Sequence, residues 1–174
     1  MAKTYTASAL GIAFASNKSM LGLFNAHATR KIRLYRAWAL NNQTAAVTGV
    51  ITSMLLRKIS ALSAGTAVTP GQHNTGDTSV DLTSVTCVTG GTFTNTADNA
   101  FRQVMWSGDE PSVSSATSDE LQCIWPLMCF WDSTGDANIE PFTLNTNEGI
   151  HLVQPGANAV GVVDVFFEFT GATS

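Results

Sequence analysis

Acidic residues are missing from the first part of this sequence. None precedes Asp77, whereas eight of the nine bases (Lys3, Lys18, Arg30, Lys31, Arg33, Arg36, Arg57 and Lys58) lie before residue 59. From residue 59 onward a single base, Arg102, faces all 13 acids, so the two parts carry formal charges of +8 and −12. A chain divided this way can lay its basic part on an acidic surface, on nucleic acid or on the acidic part of another copy. Sheet pairing that intermixes the two parts would instead cancel the field. Charge is also scarce overall, at 13%, about half the ~25% of ordinary soluble domains. A polar but weakly charged surface suits packing against other protein.

Cysteine is scarce as well. Cys87, Cys123 and Cys129 form an odd set without a C-x-x-C pair, which argues against structural disulfides and for folding in a reducing compartment such as a cytoplasm. No apolar run approaches the ~18 residues of a membrane helix. Ala13-Phe14-Ala15 has the form of a signal-cleavage site, but the run before it, Ala7–Phe14, is short and interrupted by Ser8 and Gly11, so no signal peptide is expected. G-x-S-x-G, P-loop, H-E-x-x-H and G-x-G-x-x-G patterns are all absent, which removes the signatures of nucleophile-elbow hydrolases, P-loop NTPases, zincins and dinucleotide binders.

What is present is period-two alternation. In 159–170, Val163, Val165, Phe167 and Phe169 fall on one face and Val162, Asp164, Phe166 and Glu168 on the other, the pattern of a half-buried strand. Gly149–Gln154 forms a shorter strand with Ile150 and Leu152 on one face and His151 off it, a position for a surface or hydrogen-bonded histidine. Asn147-Glu148-Gly149 and Pro155-Gly156-Ala157-Asn158 supply turns around it. Arg30–Asn41 reads as a strand with Ile32, Leu34, Trp38 and Leu40 on one face, broken by Arg36. Residues 47–59 also read as strand, because threonine and β-branched residues outweigh the helical look of Met54–Ile59. Further strands are expected at 92–96 and 100–106. Leu121–Trp131 is apolar on both faces and is expected to be covered on both, with a bend at Pro126. Residues 60–91 are rich in glycine and threonine, with at most an edge strand at 80–88.

Eight or so short strands separated by turns, without a long amphipathic helix, predict an all-β fold: an antiparallel β-sandwich, jelly-roll-like. Residues 1–29 are expected to form an N-terminal arm or edge strand, and 30–174 a single sandwich domain.

Candidate chemistry is thin. His27, His73 and His151 are scattered, and no metal site is expected. Asp132, Thr134, Asp136, Asn138 and Glu140 place oxygens at alternate positions, but the EF-hand glycine and terminal glutamate are lacking, and turn chemistry explains the pattern. Asp109-Glu110 and Asp119-Glu120 read as solvated turn charges rather than a glycosidase pair. The cluster Arg30-Lys31-Arg33-Arg36 lacks the interleaved aromatics of a nucleic-acid surface. Neither catalytic residue nor cofactor is expected. The candidate contact residues are Lys18, Arg30, Lys31, Arg33 and Phe166, the last a large aromatic sharing its face with two acids.

The segments RLYRAWALNNQTAAVTGVI (Arg33–Ile51), AGTAVTPGQHNTGDTS (Ala64–Ser79), FRQVMWSGDEPSVS (Phe101–Ser114) and EPFTLNTNEGIHLVQPGANAVGVVDVFFEFT (Glu140–Thr170) resemble a group of small virion proteins of tailed bacteriophages. The likeness spans residues 30–170 and rests on strand and turn texture. It implies a jelly-roll capsid decoration or cement protein on the capsid exterior, a homotrimer that binds the major capsid protein. The alternative it leaves open is a tail or head-fibre module that binds a host receptor or glycan, with Trp106 or Trp131 as candidate platforms. Residues 1–29 lie outside the resemblance.

Overall fold

The computed structural model describes residues 3–42, 51–76, 82–96, 100–107, 128–155 and 161–172. Thirteen strands and no helix occur among them: β1 (Thr4–Ala13), β2 (Ser19–Asn25), β3 (Lys31–Asn41), β4 (Ile51–Ser63), β5 (Thr66–Ala67), β6 (Gly71–Gln72), β7 (Val85–Thr89), β8 (Thr92–Asn95), β9 (Arg102–Ser107), β10 (Met128–Asp132), β11 (Phe142–Leu144), β12 (Glu148–Val153) and β13 (Val162–Ala172). They form two antiparallel sheets, the β-sandwich expected from the alternation. Sheet A runs β10-β3-β13-β1-β6, with β11 also on β3; sheet B runs β5-β7-β2-β12-β4-β8, with β9 also on β4. The long strands alternate between the sheets along the chain, so neither sheet is completed before the last strands are placed.

The inner faces of both sheets supply the core. Tyr5, Leu21, Leu23, Leu34, Met54, Leu56, Phe130, Ile150, Leu152, Phe167 and Phe169 are all buried in it. In β13 the alternation holds: Val163, Val165, Phe167 and Phe169 are buried, and Asp164, Phe166 and Glu168 are half-buried on the outer face. Tyr5 and Phe169, opposite each other in β1 and β13, stack at 5.8 Å between ring centroids.

β3 departs from the expected parity. Leu34 pairs with Phe169 and Arg36 with Glu168, so Tyr35 is an extra residue, a bulge against β13. Because side chains alternate with period two, one extra residue moves everything after it to the opposite face. Ile32 and Leu34 therefore point into the core, as do Ala37 and Ala39, while Trp38 and Leu40 lie half-buried on the outer face. Arg36 no longer interrupts an apolar face; it sits on the polar one.

Three further expectations are revised. Over 1–29, β2 is an interior strand between β7 and β12. Among the described residues β1 is covered on its second edge only at Tyr5 and Thr6, and beyond them it has an edge-strand position. Residues 60–91 contain the end of β4 together with β5, β6 and β7 rather than at most one edge strand at 80–88, and β7 lies between β5 and β2. Of 121–131, only Met128 onward is described; Met128 and Phe130 are buried but Cys129 is exposed, so β10 is covered on one face. Pro126, Cys123, Asp109-Glu110, Asp119-Glu120 and the turn 156–158 lie outside the described residues.

Sheet B has a second layer of cover. β4 bulges at Ser60 and continues against β8, with Leu62 opposite Phe93. These two side chains reach across the outer face of the sheet. A Cβ on Gly22 would lie 2.8 Å from Leu62 Cδ2, and the Phe93 ring meets His151 edge-on at 4.1 Å. Gly149, next to His151, leaves no room either, because its Cβ would stand 2.7 Å from the Leu23 carbonyl oxygen.

Candidate functional site

Three arrangements bear on function, and the first is built on a histidine. β12 lies between β2 and β4, which places His151 opposite Gly22 and Arg57 on the outer face of sheet B. Ser19 Oγ lies 2.7 Å from His151 Nδ1, and Asn95 Oδ1 lies 3.3 Å from Nε2. An amide oxygen only accepts, so Nε2 carries the ring proton and Nδ1 accepts from the Ser19 hydroxyl. Serine, histidine and amide in a row match a hydrolase triad in spacing, but not in setting. Ser19 is 1% exposed and His151 0%. Burial, and then the nearby Arg57 guanidinium, push the imidazole down to about 3, far below the range in which it could take a serine proton near neutral pH. This network fixes the packing of β2, β8 and β12.

The second arrangement is the basic end. Thr4, Thr170 and Arg33 form one cross-strand row of sheet A. Lys3 therefore lies at the same end of the sandwich as Arg33, two strand spacings or about 10 Å away in backbone terms. Lys31 and Arg33 are exposed and Arg30 is half-buried. The backbone there is held by Asn25, which is 0% exposed. Its side-chain amide donates to the carbonyls of Arg30 (2.8 Å) and Leu144 (3.0 Å), and its Oδ1 accepts from His27 N–H (3.0 Å). His27 Nδ1 in turn accepts from the Arg30 N–H at 3.1 Å. Lys18, before the far end of β2, is separated from this group by the length of that strand, roughly 20 Å; its Nζ donates to Thr92 Oγ1 at 2.9 Å. The structure thus gathers Arg30, Lys31 and Arg33, and sets Lys18 and Phe166 apart from them.

The third arrangement occupies the outer face of sheet A. The Tyr35 bulge aligns side chains into cross-strand rows. One row runs Cys129, Trp38, Phe166, Ser8; the next runs Asp132, Arg36, Glu168, Thr6. Trp38 and Phe166 stack at 3.9 Å with an interplanar angle of 11°. Arg36 reaches Asp132 Oδ2 at 3.2 Å through Nε and Glu168 Oε2 at 3.8 Å through Nη1. Hydrogen bonds from Thr134, and then the Arg36 guanidinium, hold the exposed Asp132 carboxyl below the usual carboxylate range. Arg36, Trp38, Cys129, Trp131, Asp132 and Glu168 line an open groove of about 270 Å³. Period-two alternation did not point to it, because the expected parity put Trp38 in the core.

The acid-rich stretch after β10 is turn structure. Asp132 Oδ1 accepts from the Thr134 N–H (2.8 Å) and hydroxyl (2.6 Å), and Asp136 Oδ1 from the Asn138 N–H (2.8 Å) and side-chain amide (3.0 Å). Among the described residues no three His, Cys, Asp or Glu side chains converge on a point that could hold a metal. Cys87 and Cys129 are free, and burial pushes the Cys87 thiol up to about 12. No family model, curated protein or solved structure matches this chain.

Proposed function

We propose that this chain is a non-enzymatic structural protein of a virus particle, a decoration protein that binds the major capsid protein on the outside of the shell through its basic end. One observation carries the reading. Eight of the strands pair as β10-β3-β13-β1 in one sheet and β2-β12-β4-β9 in the other. Numbered by their order among those eight, the sheets read 6-3-8-1 and 2-7-4-5, a pairing order that supports a jelly-roll reading, the architecture used by viral capsid and lectin domains.

Fold alone does not assign a role. Support also comes from the resemblance of residues 30–170 to virion proteins of tailed phages and from the low charge density. The one serine–histidine pair described above is sealed from solvent. Lys31 and Arg33 are exposed beside Arg30, and such a group steers a protein onto an acidic surface. A protein that bridges neighbouring capsomers adds buried interface at every site and stabilises the shell against internal pressure. Three copies around a local threefold axis of the shell are the proposed assembly.

The test is binding of purified protein to undecorated shells, read by cosedimentation at rising ionic strength. Stoichiometric binding that weakens with salt, and weakens further in Lys31→Glu/Arg33→Glu, supports the reading. No binding at any ionic strength, with the chain correctly folded, refutes it.

A further inference from the structure

The geometry points to a saccharide-binding site in the groove on the outer face of sheet A, specific for a neutral pyranose. It is independent of the shell-docking reading, which uses the basic end of the molecule.

The groove opens on the β10 side of Trp38, since Cys129, Trp131 and Asp132 line it and Phe166 does not. Phe166 instead backs the indole at 3.9 Å, so the ring is held against motion and its position is set by two rigid strands rather than a loop. An aromatic ring fixed in this way accepts the C–H face of a sugar, an apolar surface on an otherwise hydroxylated molecule.

Beside it lie hydrogen-bonding groups of both kinds. Arg36 donates; Asp132 and Glu168 accept. Their side chains stay 43%, 39% and 24% exposed, so hydroxyls can reach them without breaking the sandwich. The guanidinium is already positioned by the two carboxylates, which lowers the ordering cost on binding. A volume of about 270 Å³ falls just below the ~300–1,000 Å³ of pockets for drug-sized ligands and fits one small ring, with neighbouring residues of a glycan running out along the open ends.

Charge selects among sugars. Two carboxylates against one guanidinium leave the groove with a net negative charge, which disfavours sialic acids, uronates and phosphorylated ligands. Recognition must also come from side chains, because β3 and β13 spend their backbone donors and acceptors on the sheet.

The experiment is saturation-transfer NMR on the full chain with methyl β-D-galactopyranoside, methyl β-D-glucopyranoside and N-acetylneuraminic acid, followed by titration of whichever binds. We expect transfer to the ring C–H protons of at least one neutral glycoside and none to the acid. Trp38→Ala should weaken binding about tenfold, Trp38→Phe should retain part of it, and Met105→Ser on β9 should leave it unchanged. Folding of each variant is checked by circular dichroism. Absence of transfer from both neutral glycosides overturns the assignment, as does preference for the acid or binding indifferent to both Trp38 variants. Shell binding by Trp38→Ala reads the decoration role separately.

Discussion

Acidification should loosen this protein through one buried imidazole. His151 is fully buried, and its pKa falls from 6.5 to about 3 on folding. A group whose folded pKa is depressed favours its neutral form in the native state, so its contribution is whole above pH 6.5 and is withdrawn as pH falls toward 3. The unfolded chain takes up the proton first. At pH 5 the lost stability is about 2 kcal/mol, and below pH 3 it approaches about 5 kcal/mol. Against a total of ~5–15 kcal/mol for a typical domain, that is a large fraction. Chemical unfolding followed by tryptophan fluorescence at pH 7, 6 and 5 measures it above the range where most carboxylates titrate. His151→Gln keeps an amide in place of the imidazole and cannot titrate, so it should be less stable at pH 7 but lose far less between pH 7 and 5. Equal pH slopes for wild type and variant would refute the reasoning.

Other perturbations separate core from surface. Phe167→Ala, at 0% exposure, should cost about 3–5 kcal/mol in denaturant unfolding, whereas Trp38→Ala on the outer face should cost about 1 kcal/mol, the worth of an aromatic pair. Gly149→Ala forces a methyl to 2.7 Å from the Leu23 carbonyl oxygen and should cost at least ~1–3 kcal/mol in a thermal melt, or prevent folding. Arg36→Ala removes contacts whose partners remain part-exposed, so its unfolding midpoint should shift by less than about 1 kcal/mol. Alkylation kinetics on the native protein should modify Cys129 and spare Cys87, because one is exposed and the other is buried with its thiol pushed up to about 12.

The sequence was most legible where strands are regular. In β13 side-chain parity continues unbroken from Val163 to Phe169, so alternation alone separated Phe167 and Phe169 from Phe166. In β3 the same reasoning failed after Tyr35, because a bulge depends on what the partner strand can accommodate, and nothing in RLYRAW marks the extra residue. That one position hid the Trp38–Phe166 stack and the Arg36 ion pairs, and with them the groove. For His151, parity correctly placed the ring off the Ile150–Leu152 face, but its burial comes from Leu62 and Phe93, more than 50 residues away in the chain. Period-two patterns see only a residue's own strand and not what is folded over it. Charge segregation was visible at once. Its consequence was mixed: Arg36 is paired with acids, while Lys31 and Arg33 remain exposed at one end.

Electron cryo-microscopy of virus particles is the most direct trial of the proposed structural role. A decoration role predicts sandwich-shaped density at many symmetry-equivalent positions on the outer shell, with Lys31 and Arg33 turned toward the capsomers and the Trp38 groove facing solvent. A chain missing from purified particles, or confined to a few copies at the tail, would contradict it.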